Sequence, residues 1–313
     1  MNFQQLRTVR EAVRSGFNLT EAAQALHTSQ PGVSRQIREL EQELGITLFT
    51  RFGKRLTGLT PPGAHVLPLI ERLVQDSASL RQASRDFAAP ESGLLRIGAT
   101  HAQARYAMPE AVQDFRAAFP LVRLQLQQGS PQQVAQMLAA GDVDVGIATE
   151  ALARHAQLVA LPCYRWTHCV VVPPGHALLQ RPLTLQELAR HPLITYCPGF
   201  SGRTLIDAAF ARAGLEADVV LAAMDADVVK TYVALGMGVG VVATIAFDPE
   251  RDGELRAIDA GPLFGVNVTR LAVRRGDYLR RYVYAFIEAF APTLTADVVD
   301  RALLGEAAEE EPA

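Results

Sequence analysis

The first sixty residues alternate apolar and polar positions with a helical period, broken by short polar turns. Residues 3–16 place Phe3, Leu6, Val9 and Val13 three to four apart, the spacing of one helix face, and Gly16 marks a stop. A second helix fits 19–26, with Asn18 or Thr20 as its N-cap. His27-Thr28-Ser29 leaves room only for a turn. The third helix opens with Ser29 as N-cap and Pro31 in the first turn, where a missing N–H costs nothing. It carries Val33, Ile37, Leu40 and Leu44 and stops at Gly45. A short helix, a tight turn and a longer helix with a polar leading face form a helix-turn-helix. Residues 48–60 then read as strand, turn at Gly53 and strand, with Arg51, Lys54 and Arg55 making a basic wing.

Beyond Thr60-Pro61 a long helix is expected to about Phe87. Val66, Leu73, Leu80 and Phe87 recur every seven residues with Ile70 between them, which is a pairing seam. Ser77 and Ser84 fill the alternate seam positions, and Pro68 predicts a kink. A dimerising linker follows from its place between two differently patterned regions.

From residue 94 onward the pattern becomes one of strands and helices in turn. Strand-like runs fall at 94–99, 122–127, 143–148, 169–173, 192–196, 219–223, 239–243 and 269–274. Helical runs fall at 107–118, 131–140, 203–213, 226–235 and 278–290. This spacing predicts α/β units on parallel sheets.

Composition changes this picture in one respect. The 313 residues are 49% apolar and 20% charged, a globular composition. Net charge is −3, yet residues to 88 hold eleven basic and eight acidic side chains, and the rest nineteen and twenty-five. A segment at +3 joined to one at −6 suits a nucleic-acid module attached to something else. Lysine occurs only at 54 and 230. Cys163, Cys169 and Cys197 form no CxxC pair, so reduced, mostly buried thiols are expected and no zinc cluster. The acidic stretch GEAAEEEPA at 305–313 reads as a disordered tail. No apolar run is long enough to span a membrane, and MNFQQLRTVR has no signal-peptide pattern.

Catalytic motifs are missing. GMGVGVV at 236–242 lacks the third glycine of a dinucleotide loop and precedes a strand, and His101 and His168 are not joined by any metal-site spacing. What recurs is a hydroxyl just before a helix: Thr100 ahead of Ala102 and Gln103, Gly129-Ser130, and Ser201-Gly202. Each reads equally as an ordinary N-cap or as part of an anion site at a helix N-terminus beyond the strand ends.

Residues 1–60, with SQPGVSRQIRELEQELGITLF and the wing ending LTGLTPPG, resemble the DNA-binding domain of LysR-type transcriptional regulators. ATHAQARYAMPE, LQQGSPQQVA, GIATEAL, LPCYRW and MDADVVKTYVALGMGVGVVA resemble more narrowly the cysteine-regulon, CysB-like branch. The resemblance implies an α/β protein with three parts: a winged helix-turn-helix (1–60), a linker helix (61–90) and a two-lobed, periplasmic-binding-protein-like effector domain (91–313). Lobe I would comprise 91–162 and 268–295, and lobe II 163–267. It implies a sequence-specific regulator of sulfur assimilation that responds to acetylserine, sulfate or thiosulfate. A regulator of alkanesulfonate or taurine utilisation is the alternative, with a sulfonate as effector.

An anion-binding transport-type protein and an enzyme are the rival classes, opposed by the helix-turn-helix and by the lack of a catalytic set. By position, effector contacts would come from Thr100, Gln103, Ser130 and Thr149, with Trp166, Ser201 and Gly202 from lobe II. Ala102 stands where relatives commonly carry a hydroxyl. Gln30, Ser34 and Arg35 are expected at base edges or adjacent phosphate and Arg38 on the backbone. Thr28 and Ser29 would add phosphate hydrogen bonds, and Arg51, Lys54 and Arg55 flanking contacts. The expected partners are double-stranded promoter DNA, the small effector, a second copy or a tetramer, and RNA polymerase. Neither cofactor nor membrane is implied, and the expected place is the cytoplasm, at the nucleoid.

Overall fold

The computed structural model describes residues 1–53, 55–88, 91–149, 151–200 and 202–306. Lys54, Ser201 and the acidic tail from 307 onward lie outside them.

In the first unit, α1 (Phe3–Arg14) is closed at its start by a capping box between Asn2 and Gln5. Its buried face is Leu6, Val9 and Ala12, whereas Phe3 is exposed. Asn18 rather than Thr20 caps α2 (Leu19–Ala25), its side-chain oxygen accepting the amides of Thr20 and Glu21. Ser29 caps α3 (Gln30–Leu44), which ends on Gly45 at φ +67°, a left-handed conformation glycine adopts without strain. The three helices bury Leu6, Val9, Ala22, Val33, Ile37 and Leu40 against one another. Strands β1 (Phe49–Phe52) and β2 (Arg55–Leu59) form the antiparallel wing.

The long helix α4 (Pro61–Ala88) is continuous through Pro68. Gly63 lies against Leu48, where a Cβ would come within 2.0 Å of the carbonyl oxygen. The seven-residue seam divides in two. Val66 and Ile70 pack on the winged-helix core, while Leu73, Leu80 and Phe87 are 42%, 73% and 90% exposed. The first half of the linker helix is therefore part of the domain it leaves, and only the second half is an unpartnered seam.

The second unit holds two five-stranded sheets. The first is ordered β4 (Val122–Gln128), β3 (Gly93–Ala99), β5 (Val145–Ala148), β12 (Asn267–Arg274), β6 (Leu158–Trp166). The second is ordered β11 (Arg256–Asp259), β7 (His168–Val172), β10 (Val239–Ala243), β8 (Leu193–Tyr196), β9 (Val219–Ala223). Helices α5 (Met108–Ala118), α6 (Pro131–Ala140), α11 (Arg281–Phe290) and α12 (Ala296–Leu303) belong to the first lobe. The second carries α7 (Leu185–Leu188), α8 (Arg203–Arg212), α9 (Ala226–Ala234) and α10 (Gly261–Phe264). Strands β5, β7, β8 and β10 are buried along their whole length, as strands covered on both faces must be.

The sheets are mixed, not parallel as the alternation suggested. β3 runs parallel to β4 and β5, and β8 to β9 and β10, but β12 is antiparallel to β5 and β6, and β7 to β10 and β11. β6 passes into β7 through Thr167 alone, so the chain runs directly from the first sheet into the second. Trp166 still pairs with Asn267 inside the first sheet, so the first crossing falls at Thr167 rather than at 163.

Candidate functional site

The exposed surface of α3 and its approach carries Thr28, Ser29, Gln30, Arg35 and Arg38, with Ser34 half-buried. Val33, Ile37 and Leu40, wholly buried, fix this orientation. The Ser29 hydroxyl oxygen accepts the Gly32 amide at 3.3 Å, leaving its own hydrogen to donate outward. Arg35 Nε lies 2.7 Å from Glu39 Oε1 one turn on, and Arg38 Nε donates to the Ser34 carbonyl at 3.3 Å. Arg51 departs from expectation. Its Nη2 is 2.9 Å from Glu41 Oε2, while Glu41 Oε1 accepts the amides of Leu48 and Phe49. Arg51 therefore fastens the wing to α3 while staying exposed, and Arg55 is a second exposed wing cation.

In the second unit, Thr100 follows β3 and Thr149 follows the neighbouring β5, 5% and 4% exposed. The Thr100 amide donates to the Ile147 carbonyl, which fixes it beside the end of β5. Neither threonine hydroxyl has a hydrogen-bond partner among the described residues. Two hydroxyls on adjacent strand ends thus present neutral donors from which a ligand oxygen can accept. Ala102, 6% exposed, adds no polar atom there.

Gln103 and Trp166 are placed differently. Gln103 Oε1 accepts from the Tyr164 hydroxyl, and Gln103 Nε2 donates to Thr269 Oγ1 at 3.1 Å. Trp166 Nε1 donates to the same threonine oxygen at 3.1 Å. Their polar atoms serve one another across β6, β12 and a π-turn at Gln103–Ala107. Trp166 ends a strand of the first sheet and does not come from lobe II. Burial pushes the Tyr164 phenol up, so this set is neutral at physiological pH. Ser130 is the cap of α6, in a reciprocal box with Gln133. Gly202 begins α8 at φ +73°, and a Cβ would stand 2.7 Å from Asn267 Oδ1 and from His168 Cε1, so only glycine fits.

A cavity of about 450 Å³ opens between the lobes. It is lined by Thr149 and Gly202, by Gln132 and Gln136 of α6, by Arg154 and His155, and by Phe200 and Thr204. The sequence reading missed Arg154 and His155, which belong to a non-periodic turn after β5 and match no motif. The one nearby cation it noticed, Arg203, is held by Asp207 at 2.7 Å and by the Tyr196 carbonyl.

His101, Asp225 and Asp227 also come together with donor atoms within 4.8 Å, a spacing that suits a metal ion. Asp227 already accepts from the Tyr106 hydroxyl at 2.7 Å and pairs with Arg105 and Lys230, each at 3.3 Å. Burial alone would raise its pKa, but Tyr106, Lys230 and Arg105 outweigh that and hold the carboxyl below its usual range. The group is thus a charge-balanced latch from the 100–106 turn to α9. Burial pushes the thiols of Cys163 and Cys169 up to about 12, which leaves them protonated at neutral pH.

Comparison with known proteins bears on both halves. The family described as bacterial regulatory helix-turn-helix protein, lysR family, matches residues 3–64, and the LysR substrate binding domain matches residues 88–295. The chain is 55% identical to the HTH-type transcriptional regulator CysB of Burkholderia cenocepacia, over 98% of each chain. It is 57% identical to the HTH-type transcriptional regulator SsuR of the same organism, over 94% of this chain and 96% of that one. Among solved structures, the cofactor-binding domain of the Cbl transcriptional regulator is similar with a TM-score of 0.65. It shares 47% identity and covers 68% of this chain and 93% of that one. No helix among the described residues is long and apolar enough to cross a membrane.

Proposed function

Because the chain belongs to the LysR family of DNA-binding transcriptional regulators, we propose that it controls sulfur-assimilation and cysteine-biosynthesis genes in the cytoplasm. Its signal would be a small anionic or acetylserine-type effector held at the ends of β3 and β5. The observation that carries the effector reading is the pair of largely buried threonines, Thr100 and Thr149, on adjacent strand ends, with hydroxyls that no described side chain or carbonyl engages. Neutral hydroxyls aimed at an oxyanion give charge-assisted hydrogen bonds without fixing a counter-charge. Gly202, the cap residue of α8, adds the amides and partial positive charge of a helix N-terminus, and Ser201, outside the described residues, is proposed to contribute its hydroxyl. Ala102 favours a second reading, regulation of alkanesulfonate use, because its methyl leaves room where a hydroxyl would grip a bare oxyanion.

Titration calorimetry on the full chain tests the site. Thr149→Val and Thr100→Val should each weaken binding of the true effector about tenfold or more, since a hydrogen bond to a charged group contributes about 1.5–3 kcal/mol. Sulfate, thiosulfate and acetylserine are the ligands to compare. Unchanged affinity for all three in both variants would move the effector elsewhere.

On the DNA side, Gln30, Ser34 and Arg35 would read base edges, and Arg38 and Arg55 would contact phosphate, with Lys54 beside them. The exposed Leu73, Leu80 and Phe87 would meet the same residues of a second copy, and a tetramer and RNA polymerase contacts would build on that dimer. Leu73→Asp together with Leu80→Asp should raise the dimer dissociation constant at least tenfold, because each buries an unpaired charge in an apolar seam. Sedimentation of the full chain across a dilution series reads this directly, and an unaltered profile would place pairing on another surface.

A further inference from the structure

Phe52, at the tip of the wing, is 83% exposed. It ends β1 opposite Arg55, which begins β2, and Gly53 turns the chain between them at φ +62°. Side chains alternate faces along a strand. Phe49 and Leu56, 1% and 5% exposed, face the core, whereas Thr50, Phe52, Arg55 and Thr57 are exposed. The Thr50 and Thr57 hydroxyls meet at 3.0 Å on that outer face, so the tip beyond them presents a phenyl ring beside a guanidinium. The base of the wing is fixed. Phe49 packs edge-on against Phe17 with ring centroids 6.2 Å apart, and Glu41 of α3 pairs with Arg51 at 2.9 Å. The ring therefore keeps a set position relative to α3 and takes no part in the core.

Three basic residues, Arg51, Lys54 and Arg55, lie within three positions of the ring. That setting matches a polyanion and opposes an apolar protein surface. A helix in the major groove is walled by two phosphate strands, and a hairpin tied to its side reaches across one of them to the neighbouring minor groove. A phenyl ring makes no hydrogen bond there. It gains by burying apolar surface against sugars or between base pairs, as apolar wedges do. We infer that Phe52 is a specificity-determining residue for DNA: its ring enters the minor groove flanking the half-site and selects flexible pyrimidine–purine steps over stiff A-tracts. Such steps are the easiest to unstack, so the selection needs no bond to a base edge. Arg55, beside the ring, takes the adjacent phosphate. This rests on α3 being the helix in the major groove and adds a readout of the flank that the charged wing residues do not supply.

The test uses the full chain and an operator selected by it from random duplexes, with the core kept and the flank changed from a TA step to an A-tract. The native chain should bind the TA flank about five- to tenfold more tightly, and should brighten 2-aminopurine placed at that step by unstacking it. Phe52→Ser should bind both flanks alike, at the native affinity for the A-tract, and should lose the brightening. Phe52→Leu should keep part of both effects. All three proteins should melt at the same temperature, because the side chain is outside the core. Flank preference retained in Phe52→Ser, or equal native affinity for both flanks with silent 2-aminopurine, would overturn the assignment. Arg35→Ala separates the wedge from its premise. If Arg35→Ala erases discrimination in the core while Phe52→Ser changes nothing, α3 reads the major groove and the wedge fails. If Phe52→Ser erases the flank preference while Arg35→Ala changes nothing, the wedge stands and the placement of α3 is wrong.

Discussion

Replacing Lys230 with alanine should destabilise the second lobe by about 3 kcal/mol, the lower end of what breaking a buried ion pair costs. Lys230 is 7% exposed. Its ammonium donates to the Ala246 carbonyl at 2.8 Å and to Asp252 Oδ2 at 2.9 Å, with Asp227 Oδ1 at 3.3 Å. The Asp252 side chain, 14% exposed, also accepts the Asp248 amide at 3.0 Å and thereby shapes the loop after β10. Removing the ammonium leaves that carboxylate and a carbonyl without their donor. Lys230→Met keeps the stem and should lose nearly as much, which separates charge from packing. Hydrogen exchange followed by mass spectrometry should show lost protection in α9 and β10, with the first sheet unaltered. A methionine variant as well protected as the native chain would assign the stability to packing instead.

Arg35→Ala should lower affinity for the specific operator roughly five- to a hundredfold while changing binding to unrelated DNA much less, the signature of a bidentate base contact. Arg38→Ala should weaken all sequences alike and flatten the salt dependence by about one unit of slope. Arg35 is exposed on α3 and in the free chain is drawn toward Glu39. Glu39 also accepts from Gln5 Nε2 at 3.3 Å, so it is anchored and competes with DNA for the guanidinium. Glu39→Gln should therefore tighten DNA binding modestly in the native background and do nothing in Arg35→Ala. Fluorescence-free gel-shift titrations at two salt concentrations give all three results. Loss of specific and non-specific affinity in equal measure by Arg35→Ala would make it a phosphate contact.

The elements that were legible in the sequence are those whose boundaries are chemical. Ser29 with Pro31 and Gly45 bracket α3, and β9 and β10 match their apolar runs to the residue. β6 escaped because Pro162 interrupts it. The register slips between Thr269 and Arg270, leaving Cys163 bulged between Pro162 and Tyr164, where a proline can be tolerated. α12 was missed because it is only eight residues long, although Val298, Val299, Ala302 and Leu303 pack on the first-lobe core. In the candidate site, Thr100 is legible as a hydroxyl between a strand and a helix, whereas Thr149 enters only through the family resemblance. Gln103 and Trp166 were placed as ligand contacts because nothing local reveals Thr269, which is far along the chain and occupies both. Arg154 and His155 acquire meaning only when the lobes are side by side.

One consequence of the Trp166 placement is spectroscopic. It is the sole tryptophan of the chain, buried where the strand leaves the first sheet, with its indole N–H bonded to Thr269 and its ring 5.2 Å from that of His168. Excited at the red edge of the absorption band, where tyrosine is silent, the whole protein emits from this one indole. Its colour depends on the Thr269 bond, and its intensity on the imidazole, which quenches more strongly when protonated. Any rotation about Thr167 that alters either contact would be written into a single emission line, readable in the unlabelled native chain.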